Sequence, residues 1–203
     1  MNVYSNRRDK IFKSIKSDCA IMLFSGKAPM RSEDEAYDFS VNRNFYYLTG
    51  IDAEDMVLFM TNINGINHEY LFILPYNELL AKWVGGRMLP EKATEISEIK
   101  DVRELSELDE VVAGICNRTR KDNMFKFYFD MWHYNMDQES SVAIDYANKL
   151  KTKYPHVVTK DIFSVLTSMR LVKDETEIAN IRKAIHTTNF GILQMMNSGT
   201  NSN

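Results

Sequence analysis

Residues 56–74 read MVLFMTNINGINHEYLFIL, two apolar runs on either side of Asn64-Gly65. Asn-Gly accepts the positive φ angles that a two-residue hairpin requires, so 56–60 and 70–74 are expected as antiparallel strands. Both runs are apolar throughout instead of alternating, which is the pattern of strands covered on two faces. Pro75 has no N–H to give to a ladder and closes the second strand. Upstream, CAIMLF (19–24) has the same character and ends at Ser25-Gly26. Downstream, FKFYF (125–129) alternates strictly and predicts a further strand.

Between and around these runs the apolar spacing changes to that of helices. Ser5 is placed to cap a first helix with Ile11, Phe12 and Ile15 on one stripe. Pro90 can open a short helix. Leu108, Val111, Val112 and Ile115 line one face of another, and Val142, Tyr146 and Leu150 recur every four residues. Ile162, Val165, Leu166 and Met169 form a further stripe. Strands bounded by helices give an α/β fold with a mixed β-sheet flanked by helices. Asp174 followed by Glu177 resembles a capping box with Asp in place of Ser or Thr. Beyond it, Ile178, Ile181, Ile185, Ile192 and Met196 predict a long amphipathic helix of about six turns.

The 203 residues carry 44% apolar and 26% charged side chains, with a formal charge of -3. That charge speaks against nucleic acid as a partner, which would call for a basic stripe. There is no HExxH pair and no P-loop, and His68, His133, His156 and His186 are scattered. Cys19 and Cys116 sit in apolar runs and are expected as buried free thiols. No segment is long and apolar enough for a membrane span or a signal peptide, so the expected location is cytoplasmic, with no membrane partner.

One stretch resists a purely local reading. In Asn44–Gly50, NFYYLTG, an extended chain would put Phe45 and Tyr47 on one face and Tyr46 and Leu48 on the other. Burying both faces demands cover on both sides and a partner for each hydroxyl. Gly50 would supply a turn conformation that other residues resist.

That stretch belongs to a larger pattern. RSEDEAYDFSVNRNFYYLTGIDAEDMVLF (31–59), NELLAKWVGGR (77–87) and SMRLVKDETEIANIRKAIHTT (168–188) follow one another in register. Together they resemble the N-terminal domain of the Xaa-Pro aminopeptidases (aminopeptidase P), of the creatinase/prolidase superfamily, and its junction with the catalytic domain. The resemblance implies an N-terminal domain over 1–172 and, over 173–203, the first helix of a truncated pita-bread catalytic domain. It places NFYYLTG in the core of the first domain, as a fold signature. It further implies a full-length metallo-aminopeptidase that removes the N-terminal residue preceding proline, using two manganese ions.

The family's metal ligands lie in the catalytic domain, so this chain is expected to bind no metal and to be inactive alone, with His186 a helix-surface residue. Its expected partners are its own catalytic domain, neighbouring subunits of a homo-oligomer and, in the complete enzyme, a Xaa-Pro peptide. A prolidase or creatinase-type relative, or a stand-alone binding module, remain open alternatives. No catalytic residue is expected in the chain. Trp83 and Arg87 are the candidates for a role at the substrate cleft or between subunits, since the resemblance puts the Trp-x-Gly-x-Arg segment toward the cleft. Gly85-Gly86 between them suggests a turn presenting both side chains outward. The competing reading is a Trp packed on the domain's own surface beside a snorkelling Arg. Met88-Leu89 stand where the family tends to have Leu-Gly, so the turn after Arg87 is expected to differ.

Overall fold

The computed structural model describes residues 2–121 and 125–199. The chain divides into two compact units, Met1–Leu166 and Thr167–Asn203. The division falls ahead of the boundary expected after Val172.

The first unit is built on a six-stranded sheet of order β4-β3-β2-β1-β5-β6. The strands are β1 (Cys19–Phe24), β2 (Val57–Ile63), β3 (Ile66–Ile73), β4 (Asp101–Glu104), β5 (Lys126–Phe129) and β6 (Val158–Asp161). β2 runs antiparallel to both β1 and β3, and the pairs β1–β5, β3–β4 and β5–β6 are parallel. This is the mixed sheet that the sequence predicts. Asn64 and Gly65 have φ of 52° and 76° at the hairpin tip, with Ile63 paired to Ile66, as a two-residue primed turn requires. β4 and β6 add two strands that the apolar pattern does not reveal. Both lie at the edges, where only part of each side chain is covered.

The described residues form eight α-helices: α1 (Val3–Ser14), α2 (Arg43–Thr49), α3 (Glu78–Val84), α4 (Pro90–Ser97), α5 (Leu108–Arg118), α6 (Val142–Lys153), α7 (Phe163–Leu171) and α8 (Glu175–Gly199). One face of the sheet presents Ala20, Met22, Val57, Phe59, Phe127 and Phe129 to α5 and α6. Phe59 of β2 stacks on Phe127 of β5, and Phe127 on Phe129 of the same strand, at centroid distances of 6.2 and 6.3 Å. The alternate residues Ile21, Leu23, Leu58 and Met60 are equally buried on the opposite face. Two covered faces account for the unbroken apolar runs.

Several local expectations change. Asn2, not Ser5, caps α1: its side-chain oxygen accepts the Ser5 N–H at 3.0 Å. On α6 the buried stripe is Ala143, Ala147 and Leu150, with Tyr146 at its margin, while Val142 is exposed. Of the expected every-fourth-residue stripe, Leu150 is buried and Tyr146 half-buried, while Ala143 and Ala147 take the remaining core positions. NFYYLTG is not extended. It forms α2, started by Asn42, whose side chain accepts the N–H groups of Asn44 and Phe45. Phe45, Tyr47, Leu48 and Thr49 are buried, and Tyr46 faces outward.

The end of α2 is held by two arginines that local sequence reads as solvated. A helix C-terminus leaves carbonyls without intrahelical partners and carries partial negative charge. Arg7 Nη1 donates to the Tyr47 carbonyl at 3.0 Å, and its guanidinium lies 4.0 Å from the Tyr47 ring centre. Arg8, fully buried, donates Nη1 to the Leu48 carbonyl at 2.8 Å and Nη2 to the Ser97 carbonyl, at the end of α4, at 2.9 Å. Arg8 Nε lies 2.9 Å from Glu69 Oε2, an ion pair whose N–H axis does not point at the oxygen. Gly50 ends α2 with φ of 71°, and a Cβ there would run into the Tyr4 ring.

In the second unit, α8 opens with the expected reciprocal cap. Asp174 N–H donates to Glu177 Oε2 at 3.0 Å, and Glu177 N–H to Asp174 Oδ1 at 2.9 Å. Ile181, Ile185, Ile192 and Met196 are exposed along it. Residues 200–203 lie outside the described part of the chain.

Candidate functional site

The strands β1, β3, β4, β5 and β6 all point the same way, so their carboxyl ends share one edge of the sheet, beside the start of β2. Open α/β sheets offer ligand crevices along such an edge. Here the segment after β1 and the segment before β2 are tied together. Ser25 and Met56 are joined by two hydrogen bonds, Ser25 N–H donating to the Met56 carbonyl at 2.9 Å and Met56 N–H to the Ser25 side-chain Oγ at 2.9 Å. Asp55 N–H donates to the Gly26 carbonyl at 3.0 Å, and both residues have positive φ, 54° and 93°. Glu54 folds back to accept the Ala28 N–H. The result is a firm rim carrying Lys27, Glu54 and Asp55.

After β3 the chain leaves the sheet at Leu74-Pro75 and turns into α3. Asn77 starts that helix, its side chain accepting the Leu79 N–H at 3.0 Å. Gly85 stops it with φ of 87°. Arg87 then reaches back, Nη1 donating to the Pro75 carbonyl at 3.1 Å, which closes residues 75–87 into a compact excursion. Between this excursion and the rim lies a cleft of about 530 Å³, bounded by Lys27, Glu54, Asp55, Gly86, Arg87 and Met88. A second opening of about 520 Å³ shares Lys27, Asp55 and Met56 and continues toward Leu105, Leu108 and Val142. At its margin Asp109 accepts from Lys149 Nζ at 2.6 Å and Tyr146 Oη at 2.8 Å. The Lys149 bond holds the Asp109 carboxyl below its ordinary range, while burial, followed by Asp109, pushes the Tyr146 phenol upward.

Trp83 stands on the last turn of α3 and is 88% exposed. It is not packed on the domain's own surface. Leu79, one turn earlier, is exposed as well, so α3 presents a Leu79–Trp83 pair at i and i+4. Arg87 is exposed but folded onto Pro75. Leu79, Lys27 and the 53–56 rim were not singled out from the sequence. The available signal was Gly26 ending an apolar strand, with charged residues following it. After Arg87, Met88 joins the cleft wall and Leu89 precedes α4 with extended backbone. His186 lies exposed on α8. Among the described residues, no three His, Cys, Asp or Glu side chains converge as a metal site would require. Cys19 and Cys116 are buried free thiols, pushed up to about 11 by burial.

Comparison with known proteins bears on this arrangement. Residues 4–125 match the family described as aminopeptidase P, N-terminal domain. The chain is 26% identical over 185 residues to Xaa-Pro aminopeptidase 3 of Dictyostelium discoideum, covering 91% of this chain and 34% of that protein. A Bacillus anthracis structure assigned as an aminopeptidase P superposes with a TM-score of 0.87 at 29% identity, covering 94% of this chain and 45% of that one. Proline aminopeptidase P II from Yersinia pestis gives a TM-score of 0.69 at 24% identity, over 91% of this chain and 42% of that one, and bears on the fold alone. The chain thus spans less than half the length of each of these relatives. With a matching family over most of the sheet and the same architecture in solved structures, the chain belongs to the aminopeptidase P N-terminal domain family.

Proposed function

We propose that this chain is the N-terminal, non-catalytic part of a Xaa-Pro aminopeptidase, an enzyme that removes an N-terminal residue preceding proline. In that protein it serves oligomerisation and shapes the substrate cleft, in the cytoplasm. In this reading α8 (Glu175–Gly199) is the first helix of the catalytic domain that follows. The names of its relatives support the reaction class. The observation that carries the cleft role is Trp83: a large apolar side chain held clear of its own domain, on a short helix next to an open cleft. A Trp so placed can cover a peptide and exclude water, whether the cleft belongs to the same chain or to a neighbouring subunit. Arg87 fixes the excursion through Pro75, and its remaining N–H groups can meet a peptide carbonyl or carboxylate. The two manganese ions of such an enzyme find no fitting set of donors among the described residues.

In the complete protein, Trp83→Ala is expected to lower kcat/KM for longer peptides more than for dipeptides. The loss is on the order of 1–3 kcal/mol, comparable with one large apolar side chain losing its cover. Unaltered kcat/KM at every peptide length would remove Trp83 from the cleft. The 203-residue chain alone is expected not to hydrolyse Xaa-Pro peptides with manganese added; turnover by homogeneous chain would refute its non-catalytic role.

A further inference from the structure

At the same edge of the sheet, the loop after β5 forms a second exposed surface of different chemistry. It follows β5, three strand positions from β3 and hence roughly 14 Å along the sheet from the start of the Trp83 excursion. Trp132 is 51% exposed and stacks on Phe163, with ring centres 6.0 Å apart and planes at 19°. Tyr134, 79% exposed, meets the edge of Trp132 at 6.4 Å, and Met136 is 98% exposed. The loop is braced from within: Asp161 Oδ1 accepts the N–H groups of Met131 and Phe163, and Gln138 Oε1 accepts that of Tyr134. The rings are therefore presented in a fixed arrangement, which reduces the ordering cost of binding.

The charge along this segment of chain is one-sided. Between Lys126 and Lys149 the chain has no Lys or Arg and four carboxylates, Asp130, Asp137, Glu139 and Asp145. Asp130 accepts from Asn44 at 2.8 Å and Asp145 from Ser140 at 2.6 Å, both neutral donors that leave the charge in place. Lys149, one helical turn beyond Asp145, is engaged with Asp109. Among the described residues none of the four takes part in an ion pair. Exposed rings favour guanidinium and ammonium groups over their faces, and uncancelled carboxylates favour the same partner. Anionic lipid and nucleic acid would be repelled. We propose that the Trp132–Tyr134–Phe163 patch is a docking surface for a basic segment of a partner protein that alternates cationic and apolar side chains. The rings take its apolar groups and stack its cations, and Asp137 and Glu139 pair with the remaining charge.

Fluorescence anisotropy with a labelled peptide alternating arginine and leucine tests this on the full 203-residue chain. The peptide is expected to bind, more weakly as salt rises, and a glutamate-leucine peptide is expected not to. Trp132→Ala, and separately the pair Asp137→Asn with Glu139→Gln, should each weaken binding by about tenfold or more. The exposed pair Glu33→Gln with Asp34→Asn removes equal charge elsewhere and should leave binding unchanged. Thermal melts verify that each variant is folded; the Asp137/Glu139 pair, being exposed, keeps the test decisive if Trp132→Ala unfolds. Absence of binding, equal binding of the acidic peptide, or equal weakening by the Glu33/Asp34 pair would overturn the proposal. So would a dimer, seen by sedimentation, that Trp132→Ala dissolves, because the patch would then belong to a second copy of the chain.

Discussion

The helices α2 and α3 are each seven residues long, aromatic in part, and set beside the sheet. Their fates are opposite. α2 buries Phe45, Tyr47 and Leu48, and the carbonyls at its end are taken by Arg7 and Arg8. α3 holds Leu79 and Trp83 out in solvent, and the bonds that fix it are those of its flanks, Asn77 before it and Arg87 after it. A short helix has little stability of its own. The first is therefore maintained by what packs on it, and its aromatics stabilise the fold. The second is maintained by closing its ends, which leaves its aromatic free to meet something else.

That contrast can be broken by mutation. Phe45→Ala removes a fully buried ring and should cost about 4 kcal/mol in chemical denaturation. A cost below about 1 kcal/mol would show that α2 is not a core element. Arg8→Met keeps the volume but leaves the Leu48 and Ser97 carbonyls and the Glu69 carboxylate without their cation. The expected cost is about 3 kcal/mol, read as a shift of the urea midpoint at unchanged slope. An unchanged midpoint would mean the two helix ends hold without it.

Gly50→Ala tests how tightly α2 is joined to α1. The new residue must adopt φ of 71°, and its Cβ must displace the Tyr4 ring, which also meets Tyr46. About 2 kcal/mol is expected from strain and lost contact together. Stability equal to the parent would indicate that Tyr4 moves aside freely. Trp83→Ala closes the series. A side chain that touches so little of its own domain should change stability by less than about 0.5 kcal/mol. A large loss in the same denaturation experiment would place α3 with α2, as a packing element.

Much of the first unit was legible because its signals are local. The Asn64-Gly65 hairpin, the run 19–24 and the alternation at 125–129 each follow from backbone sterics or from side-chain period. α2 was not legible. Its residues carry no polar stripe and, apart from Arg43 and Leu48, are middling helix formers, and it is a helix because Asn42 caps one end while Gly50 and two arginines, distant in sequence, cap the other. β4 and β6 escaped for a related reason. Residues such as Arg103 and Lys160 are tolerated at an edge, and only pairing with β3 and β5 makes those segments strands. At the site, the Trp83 and Arg87 positions could be singled out from Gly85-Gly86 and the family pattern. The rim of Lys27, Glu54 and Asp55 could not, since residues from two separate connections meet there only after β1 and β2 pair.

What the sequence determined by itself was the set of elements whose stabilising partner lies within a turn or two of chain, together with the family to which they belong. What the tertiary structure decided was which charges and aromatics would be buried. Arg8 lies in a run, SNRRDK, that any local rule leaves in water, yet it ends fully buried between the ends of α2 and α4. Trp83 carries the largest aromatic side chain, yet it ends almost wholly exposed. The cost of burying a guanidinium depends on which carbonyls and carboxylates converge on it, and the cover available to an indole depends on which surfaces stand near it. Both are properties of groups far apart in sequence, and they exist only once the sheet has assembled.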